Sequence, residues 1–155
     1  MPKQLIHGVT VKKLQIHCDE RGRLMEMIRA DDKDLKQIKF GQVYMTTAYP
    51  GVTKAWHYHK KQTDHFVCVK GMMKVVLFDP REGSPTKGQL MELVMGDESP
   101  TCLTIPPGVA HGCRALEVTH LLYVTSNVYA PDDEGRIPHD DPTIGYDWTA
   151  GPPIK

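Results

Sequence analysis

An all-β fold, a sandwich or barrel of many short strands, is what this sequence predicts, and two observations predict it. Twelve prolines and thirteen glycines punctuate the 155 residues. The runs between them, about ten residues apart, are rich in β-branched and aromatic side chains, several with period-two alternation. Turn signals at that spacing belong to sandwiches and barrels.

In chain order, the first run after a polar N-terminal region is "LMEMIRADDKDLKQIK" (Leu24 to Lys39), the one stretch with helical character, broken by its central "ADDKD". It predicts a short flanking helical segment. "FGQVYMTTAY" (Phe40 to Tyr49), "HFVCVKGMMKVVLFD" (His65 to Asp79), "TCLTIPP" (Thr101 to Pro107) and "HLLYVTSNVY" (His120 to Tyr129) read as strands. No repeat, low-complexity tract or linker divides them, so residues 1–155 are expected to form a single domain. A chain of this length buries roughly 70% of its unfolded surface, enough for a proper core.

Nineteen basic residues balance nineteen acidic ones. No global field draws the protein to nucleic acid or to an anionic membrane. The longest apolar runs, such as Val75 to Phe78, fall far short of a membrane span, and Met1 to Leu5 lacks a signal-peptide layout. A cytoplasmic protein is expected. Cys18, Cys68, Cys102 and Cys113 show no CxxC spacing and read as reduced, mostly buried thiols.

Polar residues facing the inside of a β-barrel usually line a ligand site at its mouth. Candidates cluster in "GVTKAWHYHKKQTDHFVCVKG", Gly51 to Gly71. On a strand, His57 and His59 share one face while Trp56 and Tyr58 take the other. The order Gly51, His57, His59, Asp64, Gly71, followed by "PPGVAHG" with His111, resembles the two-motif layout of the cupin superfamily, a jelly-roll barrel. Three imidazoles and a carboxylate, His57, His59, His111 and Asp64, or His65 in place of Asp64, would suit a transition metal if one were bound.

Six ordered segments carry a closer resemblance: "DERGRLME" (Asp19 to Glu26), "GVTKAWHYH" (Gly51 to His59), "FDPREGSPTKGQ" (Phe78 to Gln89), "IPPGVAHG" (Ile105 to Gly112), "LLYVTSNVYAP" (Leu121 to Pro131) and "IPHDDPTIGYDW" (Ile137 to Trp148). Together they resemble the dTDP-4-dehydrorhamnose 3,5-epimerase family. That resemblance implies a cytoplasmic jelly-roll cupin homodimer that acts without cofactor or metal on a nucleotide-linked 4-keto-6-deoxy sugar. Removing a proton beside the ketone gives an enolate, and returning one to the opposite ring face inverts the centre. Such a site needs a base near neutral pKa, an acid on the other face and a dry pocket.

Carried over position by position, the resemblance makes His57 the general base and Tyr123 the acid. His111 becomes a supporting pocket residue, Gln42 a pocket glutamine, and Arg21 and Glu26 nucleotide contacts, often supplied by the partner subunit. Lys54 stands for the family's diphosphate-binding arginine, keeping the charge and losing the bidentate fork. Tyr44 stands where asparagine is usual. Four departures follow. Asp64 occupies the place of a lysine that holds the enolate, for which Lys60 or Lys61 could substitute. His59 replaces a glutamine, and "HYHK" also resembles the H-A-H-K motif of dTDP-4-keto-6-deoxyglucose 3,4-ketoisomerases. His139 replaces a tryptophan. The aspartate that usually orients the base lies well beyond the final tryptophan, whereas this sequence ends at Lys155, so the imidazole is expected to lack a partner. A ketoisomerase, a mononuclear metal cupin and a non-catalytic sugar-nucleotide binding module stay open as alternatives.

Overall fold

A computed structural model describes residues 4–32 and 39–151. Twelve strands follow in order: β1 (Thr10–Lys13), β2 (Ile16–Asp19), β3 (Gly22–Met25), β4 (Gln42–Ala48), β5 (Thr53–His59), β6 (Asp64–Lys70), β7 (Met72–Phe78), β8 (Leu90–Gly96), β9 (Thr101–Ile105), β10 (Ala110–Ala115), β11 (Thr119–Thr125) and β12 (Glu134–Arg136). Each expected run contains a strand, though "HLLYVTSNVY" leaves its strand after Thr125, and "HFVCVKGMMKVVLFD" holds two, with the chain crossing between sheets at Gly71.

Two five-stranded antiparallel sheets form the body, one ordered β1-β9-β6-β11-β4 and the other β12-β5-β10-β7-β8. The all-β expectation holds, but the flanking helical segment does not: no helix is present among the described residues. Leu24 and Met25 belong to β3, which pairs with β2 as a separate hairpin, and the chain then turns at Arg29 to Asp32. The Asp32 carboxylate is held by Lys12 at 2.6 Å, tying this turn to β1. Acidic residues that weaken a helix are well used in such a turn. The remainder of the stretch, 33–38, lies outside the described residues. No helix among the described residues is long and apolar enough to cross a membrane.

Alternation sorts each strand's side chains between the facing sheets and the outer layers. Between the sheets lie Phe66, Cys68, Val75, Leu77, Leu93, Met95, Leu103, Ile105 and Leu121, all buried. Behind the second sheet, Trp56 and Val76 pack under Ile144 and Trp148 from the C-terminal segment. Behind the first, Val67 and Cys102 pack under Leu14, Met25, Met27 and Ile28. Cys68, Cys102 and Cys113 are buried, Cys18 is exposed, and all four are free thiols.

Candidate active site

The apolar core fills one end of the space between the sheets. At the other end the inward positions turn polar, around a cavity of about 430 Å³. His57 and His59 reach it from β5, His111 from β10, Asp64 and Phe66 from β6, Tyr123 from β11, and Gln42 and Tyr44 from β4. His57 lies directly opposite His111 in the β5–β10 ladder. The shared face expected of His57 and His59 is therefore present, and Trp56 is wholly buried on the reverse side. The ladder is irregular between His111 and Cys113, where Gly112 approaches β5 so closely that a Cβ would lie 2.6 Å from Ala55 and 2.8 Å from Trp148. No larger residue fits the "AHG" segment there.

Each of the three imidazoles presents Nδ1 to an oxygen. His111 Nδ1 is 3.1 Å from the Val109 carbonyl, which can only accept, so His111 donates from Nδ1. His57 Nδ1 is 3.2 Å from Glu134 Oε1, and His59 Nδ1 is 3.8 Å from Asp133 Oδ2. The Nε2 atoms of His59 and His111 each stand 3.5 Å from the same oxygen, Asp64 Oδ2. Gln62 Nε2 donates to Asp64 Oδ1 at 2.7 Å and lies 3.3 Å from His59 Nε2. Burial pushes the Asp64 carboxyl up to about 6, against the pull of His59 and Gln62, and holds His111 well below the usual imidazole range. Asp64, standing where the resemblance expects a lysine, is therefore a carboxyl that takes up a proton only a little below neutral pH.

Ligand atoms of His59, Asp64 and His111 all lie within 4.8 Å of one another, a grouping that could hold a cation. His57 is not in that group. His65 is not a candidate either, because it points away from the cavity and pairs through Nδ1 with Thr104 Oγ1 at 2.9 Å. Burial lowers the pKa of His57, partly offset by Glu134, so the ring is neutral at neutral pH. Tyr123 stacks on Tyr44 at 4.5 Å and meets Phe66 edge to face. Burial raises both phenols, Tyr44 to about 12 and Tyr123 further, so each keeps its proton to donate.

Lys54 lines the cavity, while Lys60 donates to the Asp132 carbonyl at 2.9 Å, away from it. Gln42 lines the cavity and its Oε1 accepts from the Tyr129 amide at 3.2 Å. Arg21 and Glu26 do not line it within this chain; Arg21 pairs with Asp19 on the β2–β3 hairpin, and Glu26 with Arg29. His139 is largely exposed beside Asp140. The expectation of an unpartnered His57 is overturned by Glu134. Sequence reading missed Glu134, Arg136, Gln62, Asp133 and Tyr129. The available signal was "EGR" after a proline turn, where positions 134 and 136 share a face, but three residues resemble a solvated loop.

Over residues 3–155 the chain matches the family described as dTDP-4-dehydrorhamnose 3,5-epimerase. The Bacillus subtilis (strain 168) spore coat polysaccharide biosynthesis protein SpsL is 49% identical over 148 residues, covering 93% of this chain and 97% of that protein. The probable low-salt glycan biosynthesis epimerase Agl13 of Haloferax volcanii is 43% identical, covering 94% and 96%. Among solved structures, ChmJ, a 3'-monoepimerase from Streptomyces bikiniensis in complex with dTDP-quinovose, superposes with a TM-score of 0.88 at 28% identity, covering all of this chain and 83% of that one.

Proposed function

The chain belongs to the dTDP-4-dehydrorhamnose 3,5-epimerase family, and on that premise we propose that it is a jelly-roll cupin epimerase that inverts centres beside the ketone of a dTDP-linked 4-keto-6-deoxyhexose. One observation carries the residue assignment. His57 and Tyr123 line one cavity from opposite sheets, so a sugar ring between them meets an imidazole on one face and a phenol on the other. His57 Nε2 takes the proton next to the carbonyl, and the electron pair moves onto the ketone oxygen. Tyr123 then returns a proton from the opposite side, and the enolate collapses to the inverted ketone. The Tyr44 phenol, which lines the same cavity and keeps its proton, donates to the developing oxyanion. Lys54 attracts the diphosphate.

Glycan or polysaccharide synthesis is the setting that the names of SpsL and Agl13 support. A homodimer is part of the same reading. It accounts for Arg21 and Glu26 outside the cavity, and for the edge strand β4 exposing Val43 and Met45, a surface that folded proteins usually cover. The test is incubation with dTDP-4-keto-6-deoxyglucose in D₂O. Deuterium should enter at C3 or C5 with appearance of a new epimer; a ring that takes up no deuterium and yields no isomer sinks the reading for that sugar. Metal analysis of the purified protein should find less than stoichiometric transition metal, with activity unaffected by chelator. A tightly bound stoichiometric ion would make the His59–Asp64–His111 group a metal centre instead.

A further inference from the structure

An imidazole works as a base at one nitrogen when the other holds its proton against a fixed acceptor. We propose that Glu134 is the positioning residue for His57: its carboxylate fixes the Nδ1–H tautomer, turns Nε2 toward the cavity and stabilises the imidazolium formed when substrate gives up its proton. This rests on the reading of His57 as the base.

The placement is built by the backbone. β12 pairs with β5 so that Arg136 lies opposite His57 and Glu134 opposite His59. Glu134 reaches His57 along the diagonal, a distance that long side chains span across a sheet. The short strand is clamped beyond both ends: Lys60 N donates to Asp133 O, while Trp56 and Ile137 exchange two hydrogen bonds, each 3.1 Å. On its outer face the Tyr58 ring occupies the space where Gly135 would carry a Cβ, which would lie 2.1 Å from the ring. Arg136 braces the carboxylate from the solvent side at 2.8 Å, on the same oxygen that faces His57. The Glu134 side chain is only 15% exposed, whereas His57 keeps 35% of its surface open toward the cavity. A rigid, sheltered carboxylate behind a half-open imidazole is the arrangement of an oriented base. At 3.2 Å the contact is one of a kind that commonly tightens in the reacting complex.

The experiment compares wild type, Glu134→Gln and Glu134→Asp, with ¹⁵N-histidine NMR on the resting protein and deuterium exchange into dTDP-4-keto-6-deoxyglucose. His57 is assigned from the signals lost in His57→Asn. Wild type should show His57 protonated at Nδ1 and bare at Nε2. Glu134→Gln should lose that preference and lower kcat at least about thirtyfold, with KM within about threefold; Glu134→Asp should restore the tautomer and part of kcat. An Nε2–H tautomer in wild type, or a Gln variant with kcat within about twofold of wild type, would overturn the proposal. If Glu134→Gln does not fold, Glu134→Asp decides: a kept tautomer supports the pairing, and a lost tautomer with unchanged kcat refutes it. Should wild type exchange no deuterium, the epimerase reading fails, while the tautomer comparison still judges whether Glu134 holds His57.

Discussion

His57, His59 and His111 are chemically the same residue in three different environments. His111, almost wholly buried and donating to a backbone carbonyl, is fixed as a neutral ring. His57 is half-buried, and because burial lowers its pKa it is unprotonated through neutrality. The acid limb of kcat/KM should therefore fall below the ordinary histidine value of about 6.5. A pH profile with that limb above 7 would contradict the assignment. His57→Asn should lower deuterium exchange by about 10²- to 10⁴-fold, the usual worth of a positioned general base. Tyr123→Phe should leave exchange but suppress inversion, because proton removal and return use opposite faces. The three histidines stood out in the sequence through strand spacing and the cupin-like layout, whereas the roles of His57 and Tyr123 came only from the family resemblance. Glu134 was not legible, because "DDEGR" has the composition of a solvated turn and acquires its chemistry only when β12 pairs with β5.

Among the elements, β12 is the shortest and the most dependent on its neighbour. A Cβ at position 135 would sit inside van der Waals distance of the Tyr58 ring. Gly135→Ala should thus destabilise the protein by about 1–3 kcal/mol, as overpacking does. It should also lower kcat as Glu134 moves with its strand, both readable from a melt and a rate. β6 offers the opposite case. Asp64 is buried and its ionised form disfavoured, so Asp64→Asn should melt no lower than wild type at pH 8 while losing activity, a site kept for function at the expense of stability. The strands were legible from alternation and turn residues, whereas the stretch expected to be helical is, as far as Asp32, the end of β3 followed by a turn that the Lys12–Asp32 pairing holds.

At the scale of the whole molecule, the loop after β7 locks the N-terminal segment to the sandwich. Asp79 is buried, which alone would raise its pKa, but it accepts from Arg81, Ser84 and Thr86, and these donors hold it well below the usual range. Arg81 and Thr86 in turn bond His7. A lowered carboxylate contributes stability that is present above its unfolded value near 3.9 and is lost as pH falls below it. The thermal midpoint should accordingly drop steeply below about pH 4, and Asp79→Ala should cost about 2–4 kcal/mol at neutral pH by leaving several buried partners unsatisfied. The sandwich itself was readable from strand spacing. Which sheet each strand joins was not, because both sheets are built from distant segments and adjacent strands such as β6 and β7 part company.

The chain has two tryptophans, Trp56 and Trp148, and the fold places both behind the inner face of β5 that carries His57, with ring centroids 4.8 Å apart. Their indole N–H groups are buried and find no hydrogen-bond partner among the described residues. Their intrinsic fluorescence should be blue-shifted and their near-ultraviolet circular dichroism coupled, and both signals originate on the reverse side of β5 from the sugar. The protein therefore carries a built-in optical gauge of β5 and the C-terminal segment packed behind it, one that lies outside the cavity lining.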